Sequence, residues 1–135
     1  MKTIYPDAGL IRLLRCIPRD PAGVALHIFA NDITPTADSL LADFVLMDAL
    51  FPPQMLFDTD FTVEQIIAHV AAILTDAREF ENLSGVAQDY YGYVLTDVAG
   101  TELLQATRVD RAPRTVPYNE KISIIAVLGG YSGVQ

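Results

Sequence analysis

Few side chains in this 135-residue chain combine a reactive type with a useful spacing. His27 and His69 are its two histidines, and each sits in an apolar run with no acidic or nucleophilic neighbour at ligand spacing. Such a histidine reads as a hydrogen-bonded strand residue rather than a general base. A triad would need a nucleophile, yet Cys16, Ser39, Ser84, Ser123 and Ser132 lie in no nucleophile-elbow context. The acids are more regular. Asp58 and Asp60 form a DTD triplet, while Asp32, Asp38, Asp43 and Asp48 recur every five or six positions. Oxygen-rich loops can hold calcium, but such loops pack their acids closer and use a glycine for the sharp turn. These acids are expected to be solvated loop residues and turn caps, with Thr34, Pro35, Thr36 and Asp38 supplying turn chemistry.

Gly129 and Gly130 follow a strand-like run, but no helix follows them, so they form no phosphate cradle. Tyr90, Tyr91 and Tyr93 could stack on bases or sugars. At alternating spacing beside Gly92 they read instead as core and interface edge. Nothing assembles an acid, a base and a positioned electrophile. The chain is therefore read as a non-enzyme without cofactor or metal.

The elements that must carry these residues follow from periodicity. Asp7 can cap a helix in which Leu10, Ile11, Leu13, Leu14 and Ile17 recur at helical spacing, giving a helix over residues 7–17. Arg12 and Arg15 fall on its polar side, Pro18 is expected to stop it, and Pro21 with Gly23 to turn the chain. In VALHIFAND, Val24, Leu26 and Ile28 face one way and Ala25, His27 and Phe29 the other. This predicts a strand that is apolar on both faces, hence buried or at an interface. Asn31, Asp32 and Pro35 end it, after which Leu40, Leu41 and Phe44 re-enter an apolar layer.

Pro52 and Pro53 predict an ordered apolar loop through residues 45–60. Val63, Ile66, Ile67, Val70, Ala71 and Leu74 then match a helical template, and Thr62 with Gln65 resembles a capping box. That stretch is also apolar at intervening positions, which leaves a buried strand over 69–82 as the alternative. YYGYVLTDVAGTELLQATRVD predicts two strands joined near Asp97 and Gly100, with Tyr91, Tyr93 and Leu95 on one face and Leu103 inward across the turn. After the loop RAPRTVPYNE, KISIIAVLG is a strand rich in β-branched residues, and a small, flexible tail GGYSGVQ follows.

Bulk properties set the class. The length suits one domain over residues 1–135. Half of the residues are hydrophobic and mean hydropathy is +0.29, beside a net charge of −8. Some apolar surface is therefore expected to meet another subunit. Nine Lys and Arg residues, scattered as Arg12, Arg15, Arg19 and later Arg108, Arg111, Arg114, argue against nucleic acid and anionic membranes. Cys16 alone makes no disulfide and reads as a small buried hydrophobe. The start MKTIYPDAG lacks a signal-peptide core, and no apolar run has the length of a membrane span. The chain is expected to be made in a cytoplasm and to remain soluble or join an assembly.

Three segments, in order, resemble a family of small tailed-bacteriophage virion structural proteins. PDAG followed by leucines matches Pro6 to Leu14. A second pattern matches Phe29, Asn31, Thr34, Pro35, Thr36, Leu41, Ala42, Asp43 and Phe44. A tyrosine-glycine-tyrosine hairpin matches Tyr91, Gly92, Tyr93, Thr96, Asp97, Ala99, Gly100 and Thr101. Pro113 to Leu128 follow as the family's final loop and strand. The chain departs after Phe44, where MDALFPPQMLFDTDF replaces a Gly-Tyr step and a tryptophan-bearing strand.

The resemblance implies strand through residues 69–82, with room for a short helical turn near 62–68. The whole is then a mainly β domain, an antiparallel sandwich or barrel with a short N-terminal helix and final strands over 90–128. It further implies a virion subunit, foremost a capsid decoration or cement protein that packs on the major capsid protein. Such proteins are homo-oligomers, often trimers. A tail, neck or fibre component is the alternative, and a small phage hydrolase a remoter one. Phe29, Phe44, Phe51, Met55, Phe57, Tyr90, Tyr91 and Tyr93 are the expected interface residues.

Overall fold

A computed structural model describes residues 7–19 and 23–130. Pro6, Pro21, Ser132 and the tail from position 131 lie outside the described residues. Among the described residues the fold is mainly β, as expected, with one α-helix and antiparallel sheets packed as a sandwich.

Helix α1 (Asp7–Arg19) turns Ile11 into the core, with Leu10 and Leu14 packed beside it. Pro18 does not stop the helix. It is buried inside the last turn, and the helix runs on to Arg19.

One sheet has four strands: β1 (Val24–Phe29), β2 (Gln54–Leu56), β6 (Gly92–Thr96) and β7 (Leu103–Arg108), in the order β2-β1-β6-β7. The other has β3 (Val63–Ile67), β4 (Val70–Glu81) and β9 (Lys121–Gly129), in the order β3-β4-β9. A small third sheet pairs β5 (Gln88–Tyr90) with β8 (Arg114–Val116). Side chains alternate along a strand, so one face of each sheet can be apolar and meet the other. Val24, Leu26 and Ile28 of β1 with Tyr93 and Leu95 of β6 meet Ile73 and Phe80 of β4 and Ile122, Ile124, Ala126 and Leu128 of β9. Each such large side chain contributes about 1.5–3 kcal/mol on burial.

The first sheet is covered on its outer face too, which explains why β1 is apolar on both sides. Phe29 and Val94 point outward into a second core closed by Phe44, with Ile33, Leu41 and Leu46 around it. The chain leaves β1, loops, and returns antiparallel beside it through Phe29 and Leu46. Asn31 serves as a backbone surrogate in this loop: Val45 N–H donates to its Oδ1, and its Nδ2 donates to the Asp43 carbonyl, both at 2.8 Å. Thr36 and Ser39 make the expected turn bonds. Leu40 does not re-enter an apolar layer. It is one of the most exposed large side chains.

Three further expectations are corrected. The helical template over residues 62–75 fails and the strand implied over 69–82 holds: β3 and β4 form a hairpin, and Thr62 with Gln65 caps nothing. The strand won because consecutive positions 71–73 are buried between β3 and β9, which one stripe of a helix could not supply. The loops expected around 45–60 and after Asp110 each contain a short strand, β2 and β8. Tyr91 does not share a face with Tyr93 and Leu95. It sits at the break between β5 and β6, where its N–H donates to Phe29 O and its carbonyl accepts from Val109 N–H, and it packs on the outer core.

Two glutamines join the sheets along their edges. Gln54 on β2 donates to the Glu79 carbonyl of β4 at 2.6 Å. Gln105 on β7 donates to the Val127 carbonyl at 2.7 Å and accepts from Gly129 N–H at 2.8 Å. Each satisfies backbone groups that an open edge would leave to water.

Candidate interface surface

The acids expected to be solvated are mostly paired. Two loops use one device: a 3₁₀ turn at Leu41–Asp43 and another at Asp58–Asp60, each with its last aspartate reaching back. Asp43 accepts from Leu40 N–H at 2.8 Å, and Asp60 from Phe57 N–H at 2.7 Å. Each turn delivers the next residue, Phe44 or Phe61, into a core. These are the turn caps that the sequence suggested.

The rest of the DTD triplet is an ion-pair network rather than a solvated loop. Arg15 holds Asp58 at 3.1 Å and Glu64 at 2.8 Å, and it donates to the Phe61 carbonyl. Arg19 holds Asp58 at 3.0 Å and Arg78 holds Asp60 at 2.9 Å. The pairing with Glu64, then Asp58, raises the Arg15 pKa above its ordinary value. At Asp58 partial burial opposes ionisation, but the hydrogen bonds from Arg19 and Arg15 outweigh it and hold the pKa below its ordinary value. Partners 18 to 49 positions apart left no local spacing signal for this network. Asp32 likewise pairs with Arg108, whose guanidinium lies 5.3 Å from the centre of the Tyr91 ring.

His27 has acquired an acid and a hydroxyl that local sequence could not reveal. Its Nδ1 lies 2.8 Å from Asp48 Oδ1 and its Nε2 lies 3.0 Å from Thr96 Oγ1. The order acid–imidazole–hydroxyl resembles a triad, but both His27 and Thr96 are buried, and the Thr96 hydroxyl donates to the Asp97 carbonyl. A substrate cannot reach that oxygen. The cluster is the satisfied strand histidine expected from the sequence. His69 is exposed at the β3–β4 turn, 3.2 Å from Asp7. Among the described residues no group of three or more His, Cys, Asp or Glu could hold a metal ion. No helix there is long and apolar enough to cross a membrane.

The expected interface residues divide sharply. Phe29, Phe44, Phe51, Tyr90 and Tyr93 are buried within the single chain, so they have no surface to offer a partner. Phe51 packs edge-on against Phe80, and the Tyr93 hydroxyl accepts from Val127 N–H. These aromatics were needed to fill the sandwich. Tyr91 is half-buried, while Met55 and Phe57 remain exposed. Cys16, expected to be buried, is also exposed.

The larger uncovered apolar surface lies elsewhere. In the second sheet the even-numbered residues of β9 face the core, so Ile125 faces outward; Val127 lies on the same side but is itself buried. The register places Val63 beside Leu74 and Leu74 beside Val127, Ile67 beside Val70, and Ala77 beside Ile125. Val63, Ile67 and Ile125 are about half exposed, at 50%, 47% and 51%. Between them Ala72 and Val127 are buried and Val70 and Leu74 half-buried, so the exposed apolar groups lie at the margins of this face. The run IIAVL in β9 carried the signal: consecutive apolar residues put apolar groups on both faces. Nearby, Leu10, Leu13, Leu14 and Ile17 of α1 with Val70 and Ala71 line an open apolar groove of about 380 Å³. A second, more polar groove of about 620 Å³ runs between β7 and the Thr34–Ser39 loop.

Compared with protein-family models, curated proteins and solved structures, the chain matches none.

Proposed function

We propose that this chain is a bacteriophage virion structural protein that acts by packing, foremost a capsid decoration or cement protein contacting the major capsid protein. The observation that carries the reading is the half-exposed set Val63, Ile67 and Ile125 on the outer face of the β3-β4-β9 sheet. Apolar groups aligned on a rigid sheet suit burial against another subunit better than solvent. The order of segments resembling small virion proteins supplies the context. The buried His27 pair and the absence of an accessible nucleophile beside it weigh against a hydrolase.

A decoration protein would gain affinity by repeating one modest contact over many sites of the shell. Its net charge of −8 would then help to keep particles apart. A tail, neck or fibre component is the alternative, and its receptor-binding form draws no support from Tyr90 and Tyr93, which are core residues.

The test is incorporation into particles by wild type and by Ile125→Glu, a change on this outer face away from both cores. Wild type is expected to enter purified particles, and the variant to fold normally yet enter at less than a tenth of that level, since burying an unpaired charge costs well over 1.4 kcal/mol. Equal incorporation would overturn the role given to this face.

A further inference from the structure

We infer that β3 is a homotypic seam, pairing edge to edge with β3 of a second copy across a two-fold axis through Gln65. This rests on the assembly reading above and names one partner for it. β3 ends the order β3-β4-β9, so among the described residues one side of its backbone has no strand beside it. Proteins usually blunt such edges with lysine, proline or a bulge. Val-Glu-Gln-Ile-Ile has none of these, and its only charge, Glu64, is held by Arg15 at 2.8 Å. The edges at β2, β7 and β9 are bridged by Gln54 and Gln105, whereas among the described residues no such bridge crosses β3.

The phase of the hairpin identifies which backbone groups are free. The turn has two residues, Ala68 and His69, with φ of 49° and 63°, and it closes on Ile67 and Val70. A two-residue turn of this kind closes on a hydrogen-bonded pair, and such pairs alternate along an antiparallel ladder. Val63, Gln65 and Ile67 therefore bond to β4, while Glu64 and Ile66 point outward. The Ala71 carbonyl agrees: Ala71 lies opposite Ile66, and its oxygen is taken on the far side by Gly130 N–H at 2.8 Å.

A two-fold seam must join outward residues to outward residues, which leaves three central registers. An axis at Glu64 sets Glu64 against Glu64, placing like charges directly opposite. An axis at Ile66 sets Glu64 against Ala68, where the left-handed backbone has already left the strand. An axis at Gln65 sets Glu64 against Ile66 twice, and each pair exchanges two backbone hydrogen bonds. It also brings Val63 of each copy beside Ile67 of the other and the two Gln65 side chains together. Apolar residues at both ends and an amide in the middle make the strand self-complementary, as an isologous contact requires. For copies that each carry a charge of −8, this internally neutralised strip is a surface they can share without strong repulsion. The product is one continuous sheet, with the outer faces of both copies side by side.

Two measurements on the full chain decide it. Sedimentation is expected to give wild type twice the chain mass of 14.8 kDa, and Ile66→Lys the single-chain mass with an unchanged circular dichroism spectrum. Gln65 is the residue that meets its own copy at the axis. In a Cys16→Ser background, Gln65→Cys is therefore expected to form a covalent dimer on oxidation with oxidised glutathione, and Val63→Cys is not. A wild type that stays at single-chain mass up to about 100 µM, weaker than a working micromolar contact, overturns the seam. So does a failure of Gln65→Cys to cross-link, even if Ile66→Lys proves unfolded. A single-chain species that still enters particles overturns the seam alone. A cross-linked dimer that never enters particles overturns the virion reading and leaves the seam standing.

Discussion

Phe29 lies directly opposite Gly92 in the β1–β6 ladder, and its ring edge comes within 2.7 Å of where a β carbon on Gly92 would stand. The ring also packs edge-on against Phe44 at 4.9 Å between centres. The glycine of the tyrosine-glycine-tyrosine segment is thus the floor of the outer core, and Phe29 and Phe44 are its filling. Gly92→Ala is expected to cost about 1–3 kcal/mol in chemical denaturation, as overpacking does. The cost should shrink in a Phe29→Ala background, because the two sites share one space. Part of it should remain, since the Thr107 carbonyl also crowds that position.

Asp58 links helix α1 to the start of β3 and gives a pH signature. Its folded pKa lies below the ordinary value of 3.8, so its stabilising contribution is complete above that value. The contribution disappears as pH falls through the lower, folded value. Asp97 behaves alike, its carboxylate bonded foremost by Glu102 N–H, then by the Thr101 hydroxyl and N–H. Thermal unfolding is expected to show stability falling below about pH 4, and less steeply in Asp58→Asn, which also loses about 1–2 kcal/mol at neutral pH.

Gln105 carries a prediction that surface burial alone would miss. Gln105→Ala leaves the Gly129 N–H and the Val127 carbonyl without their present partner. A cost of about 1–3 kcal/mol follows if they stay dry. Amide hydrogen exchange at Gly129 should quicken in the variant and stay unchanged in the core of β6.

The β3–β4 turn stores strain. Ala68 and His69 both take left-handed backbone angles, which cost non-glycine residues roughly 1–2 kcal/mol each. Replacing the pair by Ala68→Asn with His69→Gly should stabilise the protein by about 1 kcal/mol, since that dipeptide suits the turn. The exposed His69–Asp7 contact that is lost is worth little. A fall in stability would show that the histidine makes a contact of greater value.

The fold class was legible in the sequence where one strand's pattern sufficed. The alternation of Val24 to Phe29, the β-branched run of β9 and the Asp97–Gly100 turn each described themselves. Residues 62–75 misled because apolar groups on both faces of β4 also satisfy a helical template. The interface residues misled for a related reason. Large aromatics mark any buried surface, and only the packing shows that Phe51 and Tyr93 fill the chain's own core while Ile125 faces outward. The ion pairs of Arg15 and the partners of His27 were illegible, because they join residues brought together only by the sheets.

The number of copies of this chain per purified particle, by mass spectrometry against an isotope-labelled standard, separates decoration from its rivals. Decoration predicts on the order of hundreds of copies, the repetition that makes a modest contact tight, whereas about a dozen or fewer would point to the neck or tail. Absence of the chain from purified particles would contradict the structural role itself.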